Sequence, residues 1–237
     1  MTEAWKAFWD NYRNQEARTD DDLFIQVGRT VQGRPISHEE FSLGVRHVVE
    51  MLALEQTDVL FEYCCGNGLV SRELARHAGF VIASDFADHL VAAARQWSRR
   101  PNVTYHLWNA LEPLDEIIDE RRPNKFLMAY ALAHFSPDDL ERIVRNAIAV
   151  RRDGPFTFLL TGIPDDSRMF SFYDTAERRL RFAENQAKGS VTNDGMGRWW
   201  KAAEIVALAE RLGLHADVRP EPAGLTHYRM NALLRRA

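Results

Sequence analysis

The chain has only two cysteines in 237 residues, and they are neighbours, Cys64 and Cys65. Adjacent cysteines do not readily reach disulfide geometry with each other. A disulfide framework is therefore excluded, and free thiols of this kind are normal in the cytosol. No set of Cys and His has the spacing of a zinc site, so no metal ligands are assigned. Long apolar runs are missing too; none approaches the ~20 residues of a membrane span. The opening, Met1-Thr2-Glu3-Ala4-Trp5-Lys6, lacks the layout of a signal peptide. These absences lead to the expectation of a cytoplasmic protein without a membrane partner. Excess positive charge is also lacking. The balance of 30 Lys and Arg against 34 Asp and Glu leaves a net charge of -4. That gives no general attraction to nucleic acid, and no nucleic-acid partner is expected. There is no G-x-S-x-G elbow and no Walker loop. What remains is 46% hydrophobic residues, enough for the core of one domain with appendages.

The most informative stretch follows the apolar run Asp58-Val59-Leu60-Phe61. It reads Glu62-Tyr63-Cys64-Cys65-Gly66-Asn67-Gly68, and a helix-like run from Leu69 to His77 comes after it. Strand, tight glycine loop and helix in that order cradle a nucleotide-like group. Gly66 and Gly68 lack a Cβ, so the chain can turn sharply there and a ligand can come close. A dinucleotide fingerprint would need a third small residue, Gly or Ala, where this chain has Ser71. The acid before the loop is more telling. The pattern E-x-C-x-G-x-G resembles motif I of the class I S-adenosylmethionine-dependent methyltransferases. A carboxylate at Glu62 suits the ammonium of that cofactor and would repel a pyrophosphate. Cys64 stands where the family usually has glycine; a non-glycine residue is not expected to take a positive φ freely.

Further strand patterns follow in order. Phe80 to Asp85 ends in an acid placed to accept ribose hydroxyls, or to open the helix that begins near Asp88. Phe86 could pack on adenine. Asn102 to Trp108 ends in Asn109-Ala110, where the methyltransferase pattern often has Asp-Ala beside the adenine amino group. Asn109 can accept and donate there, and it is equally suited to a turn. Lys125 to Tyr130 forms the fourth strand, and Ala131 to Phe135 resembles a segment common in small-molecule methyltransferases. The resemblance implies that Tyr130 borders the cofactor and that His134 lies near the transferring methyl. A neutral imidazole there could take a hydroxyl proton, and a packing or capping role is the alternative. No N/D-P-P-F/Y follows this strand, which disfavours methylation of base amino groups, and no Asp here supports a divalent-metal site.

Three parts are expected. Residues 1–36 form an N-terminal arm or lid, with Trp5, Phe8, Trp9 and Tyr12 at helical spacing. The stretch Gln26 to Thr30, with the C-C-G-N-G motif, resembles a bacterial small-molecule subgroup of the same family. Residues 37–237 form the methyltransferase domain, opened by a capping box at Ser37 and a helix to about Leu54. Residues 164–198 form an insertion over the substrate, with one helix from about Ser171 to Lys188 stopped by Gly189. Its arginines 178, 179 and 181 could bind an anion, or pair with Glu177 and Glu184. A helix from Trp199 to Leu212, a strand from Leu214 to Arg219 and a last strand from Thr226 to Leu234 complete the chain. The fold class is α/β. The resemblance implies a Rossmann-like seven-stranded sheet in order 3-2-1-4-5-7-6, strand 7 antiparallel, with helices on both faces.

The implied activity is S-adenosylmethionine-dependent methyl transfer to a small molecule. O-methylation of a hydroxyl or acidic group on a glycan precursor or natural-product intermediate is favoured. His134 is the candidate base. Glu62, Cys64, Gly66, Asn67, Gly68, Asp85, Phe86, Asn109, Ala110 and Tyr130 are the candidate cofactor contacts. Tyr12, Gln26, Arg29, Tyr173, His227 and Arg229 are the candidate acceptor contacts. A nicotinamide oxidoreductase and a non-catalytic scaffold subunit remain as alternatives.

Overall fold

The computed structural model describes residues 3–12, 17, 19–118, 120–151, 154–188 and 196–236. The expected helix stop at Gly189 lies outside them. Helices α1 (Glu3–Asn11) and α2 (Asp20–Gln26) lead to a two-residue hairpin, β1 (Thr30–Val31) and β2 (Arg34–Pro35). Its turn residues Gln32 and Gly33 both have positive φ, as a tight hairpin of this length requires. The alternating unit follows: α3 (His38–Leu52), β3 (Val59–Tyr63), α4 (Leu69–Leu74), β4 (Phe80–Asp85), α5 (Asp88–Trp97), β5 (Val103–Leu107), β6 (Lys125–Ala129), α6 (Pro137–Val150) and β7 (Phe156–Pro164). Then come α7 (Met169–Phe172), α8 (Ala176–Lys188), α9 (Ala202–Arg211), β8 (His215–Pro220) and β9 (Arg229–Arg236).

Seven strands pair in the order β5-β4-β3-β6-β7-β9-β8. Neighbours from β5 to β7 are parallel, and β9 runs antiparallel to β7 and β8. This is the expected order with its reversed last strand. The inner parallel strands β3, β4, β6 and β7 are largely buried on both faces because helices cover both, while the edge strand β5 is partly exposed. Phe61, Phe126 and Phe158 point to the side of α6 and α9, while Leu60, Leu127 and Leu159 point to α3 and α4.

Local chemistry explains the boundaries, including those that differ from expectation. Ser136 caps α6 with Pro137 in its first turn, and Asp139 completes the reciprocal capping box. Ser37 caps α3 by accepting from the Glu40 amide. The Glu40 side chain does not complete that box; it lines the cavity described below. The insertion is not one helix. It breaks between α7 and α8, where the Arg178 guanidinium takes the Phe172 carbonyl and Asp174. Trp199 and Trp200 precede α9 rather than opening it. Trp200 is fully buried, its amide donates to the Pro164 carbonyl and its indole to the Leu132 carbonyl. The last strand starts at Arg229, leaving Thr226 to Tyr228 in a loop. Between Leu160 and Ile163 the β7–β9 register slips, and Gly162 lies in that bulge with φ +67°. Among the described residues no helix is long and apolar enough to cross a membrane.

Candidate active site

A cavity of about 810 Å³ opens where β3, β4 and β6 end. That size falls in the range of small-molecule sites, and the carboxyl ends of parallel strands are where α/β sheets bind ligands. Glu62 and Cys64 come from the end of β3, Asp85 and Phe86 from the end of β4, and Tyr130 and His134 from the segment after β6.

Two buried carboxyls occupy the floor. Glu62 accepts a hydrogen bond of 2.5 Å from the Ser71 hydroxyl. Its burial pushes the carboxyl up to about 7, against the pull of that hydroxyl and of Arg29. Asp85 accepts from the amides of Gly66 at 2.9 Å and Ala87 at 3.0 Å. Burial raises it as well, and the backbone donors oppose the rise. The thiols of Cys64 and Cys65 are held well above their usual range by burial and by the two acids, so neither is a thiolate nucleophile.

The glycine loop is fastened by the arm. Asn67 donates to the Leu23 carbonyl at 2.8 Å and to the Gln26 side chain at 2.9 Å. A Cβ on Gly66 would meet Val27 at 2.9 Å, and one on Gly68 would meet the Tyr105 ring at 2.7 Å. Side chains, rather than a ligand alone, therefore demand these two glycines, whose φ values are also positive. Against expectation, Cys64 takes a positive φ of 55° without being glycine. Tyr130 does the same at the matching end of β6, with φ 59°. Two non-glycine residues in this region flank one cavity, as strained residues at functional sites often do.

Tyr130 is the hub of the opposite wall. Its hydroxyl donates to Glu221 at 2.6 Å, and Glu221 also accepts from Thr226 at 2.6 Å. The Arg29 guanidinium stands 4.8 Å from the Tyr130 ring centre and that of Arg229 stands 5.4 Å from it. Burial, then Glu221, raises the Tyr130 hydroxyl well above the ordinary phenol range, so it serves as a donor. His134 ends a short 3₁₀ turn, Leu132–His134. Its ring packs 4.1 Å from Trp5 and 5.5 Å from Trp9, measured between centres. Burial first, then Arg229, lowers the imidazole to about 3, so the ring is neutral at pH 7. Its Nδ1 is buried without a hydrogen-bond partner among the described residues. The turn is braced from behind: Arg198 donates its amide to the Ala133 carbonyl, and Gly197 leaves room for that same carbonyl.

The cavity thus gathers Glu62, Cys64, Gly66, Asn67, Asp85, Phe86, Tyr130 and His134, with Tyr12, Arg29, His227 and Arg229. Five expected residues are not in its lining. Gly68 lies under Tyr105. Asn109 is exposed and its side chain accepts from the Leu111 amide, the turn role, while Ala110 is buried beside it. Gln26 is buried behind the loop as the partner of Asn67. Tyr173 is buried among Phe172, Phe182 and Trp199. Sequence reasoning missed Glu40 and Glu221. The one available signal for Glu221 was its place between Pro220 and Pro222, a stiff loop that can hold a charge in place.

A family model described as a methyltransferase domain matches residues 60–154, the segment that carries Glu62, Asp85 and His134. Residues 60–154 are thus similar to a methyltransferase domain, and the chain has the fold of class I S-adenosylmethionine-dependent methyltransferases. Solved structures with the same fold include the magnesium protoporphyrin IX methyltransferase of Synechocystis PCC 6803 with bound SAH. It is 13% identical, covers 98% of this chain and 93% of its own, and has a TM-score of 0.58. A DhpI complex with SAM and HEP is 16% identical, covers 99% and 97%, and has a TM-score of 0.65. Human N-acetylserotonin methyltransferase with SAM is 13% identical, covers 99% of this chain and 59% of its own, and has a TM-score of 0.64. At the level of sequence, no curated protein matches the chain. Identities this low establish the methyltransferase fold and leave the acceptor to be argued from the cavity.

Proposed function

We propose that this methyltransferase O-methylates a small molecule at a hydroxyl or acidic group, as on a glycan precursor or natural-product intermediate. The observation that carries this reading is His134, a neutral imidazole lining the same cavity as Glu62 and Asp85. When bound, S-adenosylmethionine supplies a methyl group already activated on a sulfonium. The residues present fit that group. Glu62 would take its ammonium, as a buried carboxyl with only a hydroxyl for partner can. Asp85 keeps lone pairs free beyond its two backbone bonds and would take ribose hydroxyls. Phe86 would pack on the adenine, and the loop from Cys64 to Asn67 would follow the chain of the cofactor.

The remaining work is alignment and one proton. His134 accepts the hydrogen bond of the acceptor hydroxyl and then its proton. Burial opposes a charge on this ring. That cost would be offset because the net charge of the site is unchanged: the positive charge that bound S-adenosylmethionine brings is replaced by the one the imidazole gains with the proton. The arm, residues 1–36, and the insertion, residues 164–198, would close over the core of residues 37–237. Tyr12, Arg29, His227 and Arg229 would then contact the acceptor. Free thiols and the lack of a basic surplus support a cytoplasmic reaction without nucleic-acid or membrane partners.

Calorimetric titration with S-adenosylmethionine, S-adenosylhomocysteine and NAD tests the cofactor, and a labelled methyl donor with a panel of hydroxylated acids tests the acceptor. Saturable binding of NAD alone, or methylation confined to amines, would overturn the proposal.

A further inference from the structure

Arg29 and Arg229 are unlike the other arginines near the cavity. Arg178 is paired with Asp174 at 2.9 Å and Arg198 with Glu204 at 2.6 Å. Neither Arg29 nor Arg229 has a carboxylate within ion-pair distance among the described residues. The Arg29 guanidinium makes no hydrogen bond to any of them; its neighbours are the faces of Tyr130 and Phe41, at 4.8 and 5.5 Å. Arg229 spends one donor on the Gly162 carbonyl and otherwise faces the rings of Tyr130 and Tyr228. Of the nearby acids, Glu221 is engaged by Tyr130 and Thr226 and Glu62 by Ser71, while Glu40 lines the same cavity without reaching ion-pair distance of either arginine.

A guanidinium offers five donors. Contact with an aromatic face leaves those donors unmet. Arg29 is sheltered enough that burial lowers its proton affinity, and Arg229 adds to the effect. Two cations on one ring, both lining the cavity with donors to spare, form an incomplete site that an oxyanion would complete.

We infer that the methyl acceptor is an anion, and that its carboxylate or phosphoryl group binds between Arg29 and Arg229 beside Tyr130. This rests on the methyltransferase reading above. The placement has a chemical consequence. The charge of Arg229 is one cause of the weak basicity of His134. An anion on Arg229 cancels that charge and strengthens the base when the acceptor is in place.

The test uses the full chain saturated with S-adenosylhomocysteine and titrated calorimetrically with benzoate, phenyl phosphate and the uncharged benzyl alcohol. At least one of the two anions should bind, with the alcohol at least tenfold weaker. Which anion binds more tightly tells carboxylate from phosphoryl. Arg29→Gln and Arg229→Gln should each weaken anion binding at least tenfold, and Arg29→Lys should restore part of it. Affinity for S-adenosylhomocysteine should stay within threefold, which also shows that each variant is folded. The inference is overturned if neither anion binds, if benzyl alcohol binds equally well, or if anion binding survives both substitutions. It is also overturned if S-adenosylhomocysteine affinity falls in step, since the arginines would then serve the carboxylate of the cofactor. Failure of the wild-type protein to bind S-adenosylhomocysteine would instead sink the methyltransferase reading itself.

Discussion

If Glu62 holds the ammonium of the cofactor, binding must release a proton. In the free protein the Glu62 carboxyl titrates at about 7 because burial disfavours its charge. At pH 6 it is then about nine-tenths protonated, and at pH 7.5 about one-quarter. An ammonium beside it requires the ionised form. Binding at pH 6 should therefore release about 0.9 proton, and affinity should rise roughly five- to tenfold between pH 6 and 7.5. That range allows for the amine of the cofactor, which itself begins to deprotonate near 7.7–8.0. Calorimetry with S-adenosylhomocysteine in buffers of different ionisation enthalpy counts the proton directly. The same burial has a stability consequence. The folded carboxyl holds its proton more tightly than the unfolded one, whose value is near 4.5. This contribution is fully present below about pH 4.5 and is lost as pH rises through 7, a loss of about 3 kcal/mol. Glu62→Gln keeps an acceptor for Ser71 but has no proton to exchange. It should melt higher than the wild type at pH 8 and bind the cofactor without proton release. A wild-type release near zero at pH 6 would refute the assignment of Glu62 to the ammonium.

Three other outcomes follow from the geometry. Gly162→Ala places a Cβ 2.3 Å from the Tyr130 ring at a residue with φ +67°. Strain and overpacking together should cost roughly 3 kcal/mol, a fall in Tm of about 6–12 °C by thermal melting. Cys64→Gly should relieve the strain of φ 55° and gain about 1 kcal/mol, less the packing of the lost side chain; a clear loss of stability in denaturant titration would count against strain there. His134→Asn should cut turnover at least a hundredfold and leave S-adenosylhomocysteine affinity within threefold. It should also blunt acid unfolding. The folded imidazole titrates near 3 instead of 6.5, so its contribution is present above 6.5 and is lost as pH falls towards 3. A variant as acid-sensitive as the wild type would show that His134 is not buried as described.

Much of the fold was legible because its physics is local. Apolar runs ending in Glu62, Asp85 and Tyr130, separated by helical patterns, specify parallel strands with helices on both faces, and Ser136-Pro137 marks a helix start outright. That Glu62, Gly66 and Asp85 share one cavity could be read for the same reason, since they lie at or just after strand ends whose direction the alternation dictates. What stayed hidden depended on contacts between distant segments. That Asn67 holds the arm through Leu23 and Gln26, that Tyr105 is the reason for Gly68, and that Asn109 closes a turn are facts of packing, not of pattern. The wall around Tyr130 is a further case: Arg29 and Arg229 are among the contacts expected from the sequence, but their meeting on one ring beside Glu221 is not. Arg29, Tyr130, Glu221 and Arg229 come from four separate parts of the chain. Only the closing of β9 against β7, with the Gly162 bulge, brings their charges to one ring. Periodicity reports which face of an element is buried; it carries no information about which side chains from remote elements share a cavity, and that the tertiary structure alone decided.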